Sequence, residues 1–150
     1  MSHSYVRLLV HVVFSTKERR HLITPDLQER LFPYLAGIAT HNGFEALAVG
    51  GIEDHVHVVL QLPTTITIAK AVQLLKGNSS KWVSVTFPLH AGFTWQEGYG
   101  AFSIGASQLQ RTLAYVRNQA EHHRTASFQD EYLRFLESNG LPYDQQYVFG

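Results

Sequence analysis

His55-Val56-His57-Val58-Val59-Leu60-Gln61-Leu62 reads as a β-strand whose two faces differ. Side chains alternate across an extended strand. Val56, Val58, Leu60 and Leu62 therefore share one face, a continuous apolar surface for a core. His55, His57, Val59 and Gln61 share the other. The two imidazoles stand roughly 6–7 Å apart along the strand and point the same way. So placed, they can hold one metal ion if a third ligand comes from elsewhere. They are equally compatible with an ordinary half-exposed strand, so the rest of the chain has to decide.

Outward from this strand, the pattern is one of alternating elements. Tyr5 to Thr16 reads as a first, central strand, with His11, Val13 and Ser15 alternating against Val10, Val12 and Phe14. Thr24-Pro25-Asp26 is a helix start, and Leu27, Leu31, Leu35 and Ile38 form its apolar stripe up to Asn42-Gly43. Pro33 predicts a kink or a split-off first turn. Phe44 to Val49 predicts a second strand, with Gly50-Gly51 as a bend into the histidine strand, which Pro63 ends. Thr65 or Thr67 can cap a second helix with the stripe Ile68, Val72 and Leu75. Lys76-Gly77-Asn78-Ser79-Ser80 is expected to interrupt it before Lys81 to Val85 resumes. Gly92 to Ile104 reads as two short strands around a turn. Ser107 is expected to cap a third helix running to about Arg124, and Phe128 to Ser138 a fourth. The tail from Leu141 has no periodicity. Strand, helix, strand, strand, helix, strand is the ferredoxin-like (RRM-like) α+β order: an antiparallel sheet with helices on one face. A C-terminal helix is left to lie across the open face, which bears His55 and His57.

Composition narrows the setting. The 150 residues make one domain's worth of chain (1–150), 45% hydrophobic and 16% charged, values ordinary for a globular protein. No apolar run is long enough to span a bilayer, and the N-terminus lacks a basic-then-apolar leader, so a cytoplasmic protein without membrane attachment is expected. The absence of cysteine excludes disulfides and thiolate metal sites. Net charge is zero, but it is unevenly spread: basic residues dominate over 1–25 and 67–119 and acidic ones over 120–150.

The third helix carries two stripes. Leu109, Leu113, Val116 and Ala120 form its packing face; Arg111, Tyr115, Gln119 and His122 form the other. Tyr115 and Gln119, one turn apart, bring a phenolic nucleophile and a neutral oxygen ligand, and Arg111 and Arg117 bring positive charge for an anion. A solvated face would look the same in isolation. Beside two histidines on an open sheet, it supplies the missing parts of a site.

Four segments in this order resemble the single-tyrosine HUH transposases of small bacterial insertion sequences and their relatives associated with repetitive extragenic palindromes. They are His55-Val56-His57, Lys76-Gly77-Asn78-Ser79-Ser80, Trp95-Gln96-Glu97-Gly98-Tyr99-Gly100 and Tyr115-Val116-Arg117-Asn118-Gln119. The likeness runs from His11-Val12-Val13-Phe14 to about Phe128. It implies that His55, His57 and Gln119 bind one divalent cation, Mg²⁺ or Mn²⁺. It implies that Tyr115 attacks a DNA phosphate to form a 5′-phosphotyrosine, and that the substrate is single-stranded DNA with hairpin ends. A homodimer is implied too, with cis or trans placement of the tyrosine helix left open. Lys76, Ser79, Ser80, Lys81, Arg111 and Arg117 are the candidate DNA contacts, with Trp95 and Tyr99 as base-stacking candidates. Rival readings are a domesticated palindrome nuclease, a phosphodiesterase using water, and a passive RNA- or single-strand-binding module.

Overall fold

The computed structural model describes residues 3–149; Met1, Ser2 and Gly150, the ends of the expected 1–150 domain, lie outside them. Four strands form one antiparallel sheet: β1 (Leu8–Ser15), β2 (Glu45–Ile52), β3 (His55–Leu62) and β4 (Gly100–Ile104), in the order β2-β3-β1-β4. This is the ferredoxin-like arrangement. Alternation along β1 and β3 divides the molecule. Val10, Val12, Phe14, Val56, Val58, Leu60 and Leu62 pack under α1 (Pro25–His41) and α2 (Ile68–Thr86) in the main core. The opposite face carries His11, Val13, Ser15, His55, His57 and Val59. In the β1–β3 register Val13 pairs with His57, Ser15 with His55 and His11 with Val59, which sets His11 diagonal to His57.

That second face is covered as well. α3 (Leu109–Arg117) lays Leu109, Leu113 and Val116 on Leu9, Ala48 and Val59. α5 (Phe128–Ser138) lays Phe128, Tyr132 and Leu136 on Val13 and Phe102. Ser127 caps α5 by accepting from the Asp130 amide at 3.1 Å. The histidine face is therefore the floor of a cleft between these helices rather than an open surface.

α3 reaches the sheet because β2 carries Gly50 opposite His57. A Cβ there would stand 1.8 Å from the Val116 carbonyl oxygen. Gly50→Ala is thus expected to push the end of α3, with Tyr115 beside Val116, off β3. We expect a loss of about 3 kcal/mol, readable as a lowered urea midpoint at unchanged slope.

Several local expectations are corrected. α1 is continuous through Pro33, which is on its exposed side, where water can take the carbonyl the ring leaves unbonded. α2 runs through residues 76–80 without a break: Asn78 Nδ2, Ser79 Oγ and Ser80 Oγ donate to the carbonyls of Leu74, Lys76 and Gly77, so these polar residues bond within the helix. Thr67, not Thr65, caps it. Gly50 and Gly51 belong to β2. Within 92–104 only β4 is a strand, Trp95 making a single bridge to Thr16. The expected third helix is broken: a 3-10 turn at Ala106–Gln108 precedes α3, Ser107 caps nothing, and the non-helical Asn118 separates α3 from α4 (Gln119–His122).

Candidate active site

His55 and His57 are fully buried and each has a partner that fixes its ring. Asp54 Oδ1 lies 2.7 Å from His55 Nδ1, and His11 Nε2 lies 2.7 Å from His57 Nδ1. With their Nδ1 atoms engaged, both rings aim Nε2 at the same point, the arrangement by which outer partners orient metal-ligating histidines. Gln119 Oε1 reaches that point, 3.1 Å from His55 Nε2 and 2.9 Å from His123 Nε2. The helix break at Asn118 turns Gln119 inward, and it is almost completely buried.

The remaining group comes from α5. Glu131, 2% exposed, places Oε1 2.9 Å from His57 Nε2, 3.3 Å from His123 Nε2 and 3.4 Å from His55 Nε2. Its Oε2 accepts a hydrogen bond from the Tyr115 hydroxyl and lies 3.2 Å from His122 Nε2. His55, His57, His123 and Glu131 each offer a ligand atom, all within 4.8 Å of one another. Three imidazoles and a carboxylate, with an amide oxygen beside them, are a donor set that fits a divalent cation.

Charge in this cluster is sharply divided. Burial disfavours the carboxylate form of Glu131, but hydrogen bonds from His123, His55 and His57 outweigh it and hold the group ionised, well below the ordinary range. Burial also disfavours a charged His55, yet Asp54 and Glu131 outweigh it and raise its pKa to about 9. At His57 burial wins over Glu131 and the value falls to about 4; at His11 burial, helped by His57, lowers it to about 3. Burial, then the bond to Glu131, pushes the Tyr115 hydroxyl far up. Tyr115 therefore holds its proton until something takes it.

The structure brings His55, His57, Tyr115 and Gln119 together within one chain. Arg111 stands at the edge of the same cleft, lining a cavity with Tyr115 and Glu131. Arg117 is exposed at the end of α3. Lys76, Ser80 and Lys81 are on α2, across the sheet from the histidines. Lys76 Nζ is bonded to the carbonyls of Glu97 and Gly98, and burial lowers its pKa to about 8. Ser79 is corrected as a DNA contact: it is buried, donating to the Lys76 carbonyl and accepting from Trp95 Nε1 at 2.9 Å. Trp95 is core, edge-on to Phe14 and Phe93, and is not a stacking platform. Glu131 escapes the sequence reading, as do the roles of Asp54, His11 and His123. Asp54 adjoins the histidine pair and His11 faces it across one strand, so these two were within reach of the β-pairing argument. Glu131 stands in an acidic stretch that looks like any solvated helix face.

Known proteins share the sequence pattern and the fold. The family model described as "Transposase IS200 like" matches residues 4–119, ending at Gln119 and short of Glu131. The ISDra2 transposase TnpA of Deinococcus radiodurans is 25% identical over 118 residues, covering 75% of this chain and 84% of that protein. The transposase of insertion sequence IS200 from Salmonella typhimurium is 21% identical, covering 83% and 84%. A crystal structure assigned as a transposase from D. radiodurans R1 superposes with a TM-score of 0.63 at 26% identity, covering 78% of this chain and 97% of its own. A REP-associated tyrosine transposase bound to a REP hairpin shares the fold at a TM-score of 0.55 and 15% identity, covering 77% and 68%. Carrying its tyrosine over a buried histidine pair, this chain belongs to the IS200-like, single-tyrosine transposase family.

Proposed function

We propose that residues 1–150 form a single transposase domain that cuts and rejoins single-stranded DNA at Tyr115. The observation that carries this is the Tyr115 hydroxyl bonded to the one carboxylate that also bridges His55, His57 and His123. Nucleophile, proton acceptor and cation ligands are thereby a single connected cluster. His55, His57, Gln119, His123 and Glu131 would hold Mg²⁺ or Mn²⁺. Bound there, a divalent cation would supply Lewis-acid stabilisation of charge developing on phosphate oxygens.

The chain's own groups do the rest. Tyr115 Oη attacks phosphorus as its proton passes to His122 Nε2, 3.2 Å away and outside the cation's ligand set; Glu131 Oε2, to which the hydroxyl already donates, orients the attack. The bond to the 3′-oxygen breaks, leaving a 5′-phosphotyrosine and a free 3′-OH. The covalent bond conserves the energy of the phosphodiester, so a second 3′-OH can reverse the step without a nucleotide cofactor. Arg111, which lines the cleft with Tyr115, would contact phosphate beside this chemistry, Arg117 would do so from the exposed end of the tyrosine helix, and Lys76, Ser80 and Lys81 would serve DNA passing the α2 face. Hairpin-ended DNA is the proposed substrate, a homodimer the working form, and the cytoplasm the setting. No described helix is long and apolar enough to cross a membrane.

The test is a 5′-labelled versus 3′-labelled single strand carrying a candidate cleavage site. A protein–DNA adduct dependent on Mg²⁺ or Mn²⁺, on the fragment with the 5′-phosphate, is the expected result; cleavage without an adduct would point to water as nucleophile. Because Tyr115 meets the histidines of its own chain, mixing His57→Ala with Tyr115→Phe protein should regain no adduct. Recovery on mixing would mean that the tyrosine helix serves the partner subunit instead.

A further inference from the structure

The cleft extends past the reacting groups to residues that the reaction above does not use, Phe102, Arg134 and Phe135. Between β4, α3 and α5 lies a cavity of about 410 Å³ that opens beside Tyr115. Its floor is aromatic: Phe102 and Phe135 stack at 5.2 Å with an interplanar angle of 18°. The edge of His11, only 4% exposed, meets Phe135 at 5.0 Å and also lines the cavity. At its rim stand Arg111 and Arg134, both exposed, and neither has a carboxylate in salt-bridge range among the described residues. Arg134 and Phe135 belong to α5, beyond the residues 4–119 that the family model spans.

The lining selects a ligand class. A bare anion would meet the guanidinium groups but leave the aromatic floor and most of the volume unused, since the cavity is of the size of small-molecule sites, roughly 300–1,000 Å³. A purely apolar ligand would sit under two unpaired cations. A nucleotide satisfies both, its base against an aromatic surface and its phosphate oxygens toward forked arginine donors. We propose that this cavity is a subsite for one unpaired nucleotide of the DNA strand next to the phosphate that Tyr115 attacks. The inference rests on the reading of the chain as a single-strand transferase. It makes α5 a reader of the cleavage site as well as the carrier of Glu131.

Thymidine 3′,5′-bisphosphate titrated calorimetrically into the full chain, in chelator so that no cation contributes, tests this directly. Saturable one-to-one binding is expected. Arg111→Gln and Arg134→Gln should each weaken it about tenfold, and Thr112→Trp, whose side chain fills the cavity, should abolish it, with melting temperatures confirming that each variant folds. Failure to bind, binding indifferent to these variants, or equal affinity for inorganic phosphate would each overturn the nucleotide subsite. The adduct assay separates this from the transferase reading. Bisphosphate binding that obeys the variants, with no adduct on any strand, would sink the transferase and keep the subsite; adducts without such binding would do the reverse.

Discussion

Tyr115→Phe is expected to remove the covalent protein–DNA adduct, lowering cleavage by on the order of 10⁴-fold or more, the scale that follows when a nucleophile is deleted from an otherwise intact site. The phenyl ring should keep its place, because its neighbours are aromatic: His57 at 5.7 Å, Phe135 at 5.9 Å and His11 at 6.3 Å between ring centroids. What is lost is the hydroxyl, with its bond to Glu131 and its contact to His122. Glu131 retains His57, His123 and His55, so stability should change by only about 1 kcal/mol. Mn²⁺ affinity should hold within a few-fold, since Tyr115 is not in the donor set. Loss of activity with intact metal binding, read by calorimetry, is what separates a missing nucleophile from a collapsed site. An undiminished adduct would move the nucleophile elsewhere. Tyr99, 37% exposed, would be tested next, although it lines a different cavity, with Lys76 and Trp95.

How far the site was readable from the residues depends on the range of the interactions involved. Period-two alternation in Leu8–Ser15 and His55–Leu62 places the apolar and histidine faces correctly, because strand geometry is local. The ferredoxin-like order follows from element succession alone. Tyr115 and Gln119 read correctly as near neighbours, but for an incomplete reason: they are not on one unbroken helix. Asn118 interrupts it, and Gln119 is held by its Nε2 donating to the Tyr115 carbonyl at 3.2 Å. Ser79 misleads because a hydroxyl beside lysines looks like a phosphate ligand, while burial gives it the Trp95 indole instead. Glu131 is unreadable for a deeper reason. The helix periodicity of Phe128, Tyr132 and Leu136 shows which face is buried, but nothing local says that the carboxylate on that face will find three imidazoles from two other elements. Only tertiary structure can bring an acidic helix residue into such a cluster.

Glu131→Gln is expected to have the second large effect, and its pH dependence identifies the cause. The substitution keeps the shape and removes the charge from a carboxylate that is 2% exposed, so solvent screens little of the loss. An amide cannot accept on both atoms from His57, His123 and Tyr115 together, and breaking a buried charged pair from one side costs about 3–5 kcal/mol. Two linked titrations shape the profile. His55, raised to about 9, gives stability that is fully present below its ordinary value of 6.5 and is lost as pH rises through about 9. Glu131, held low, gives stability that is present above the ordinary carboxylate range and is lost as pH falls below it. His11 and His57 are held neutral by burial in both proteins and cancel to first order in the comparison. The difference between wild type and Glu131→Gln should therefore be greatest near pH 6 and shrink by pH 9.5, where His55 is neutral and only the hydrogen bonds to the carboxylate remain. Urea unfolding in chelator at the two pH values measures it. In the same variant Mn²⁺ affinity should fall at least tenfold, toward a hundredfold, because the anionic member of the proposed donor set has been neutralised. A penalty independent of pH, with Mn²⁺ affinity unchanged, would reduce Glu131 to a packing residue and leave the cation to the histidines and Gln119.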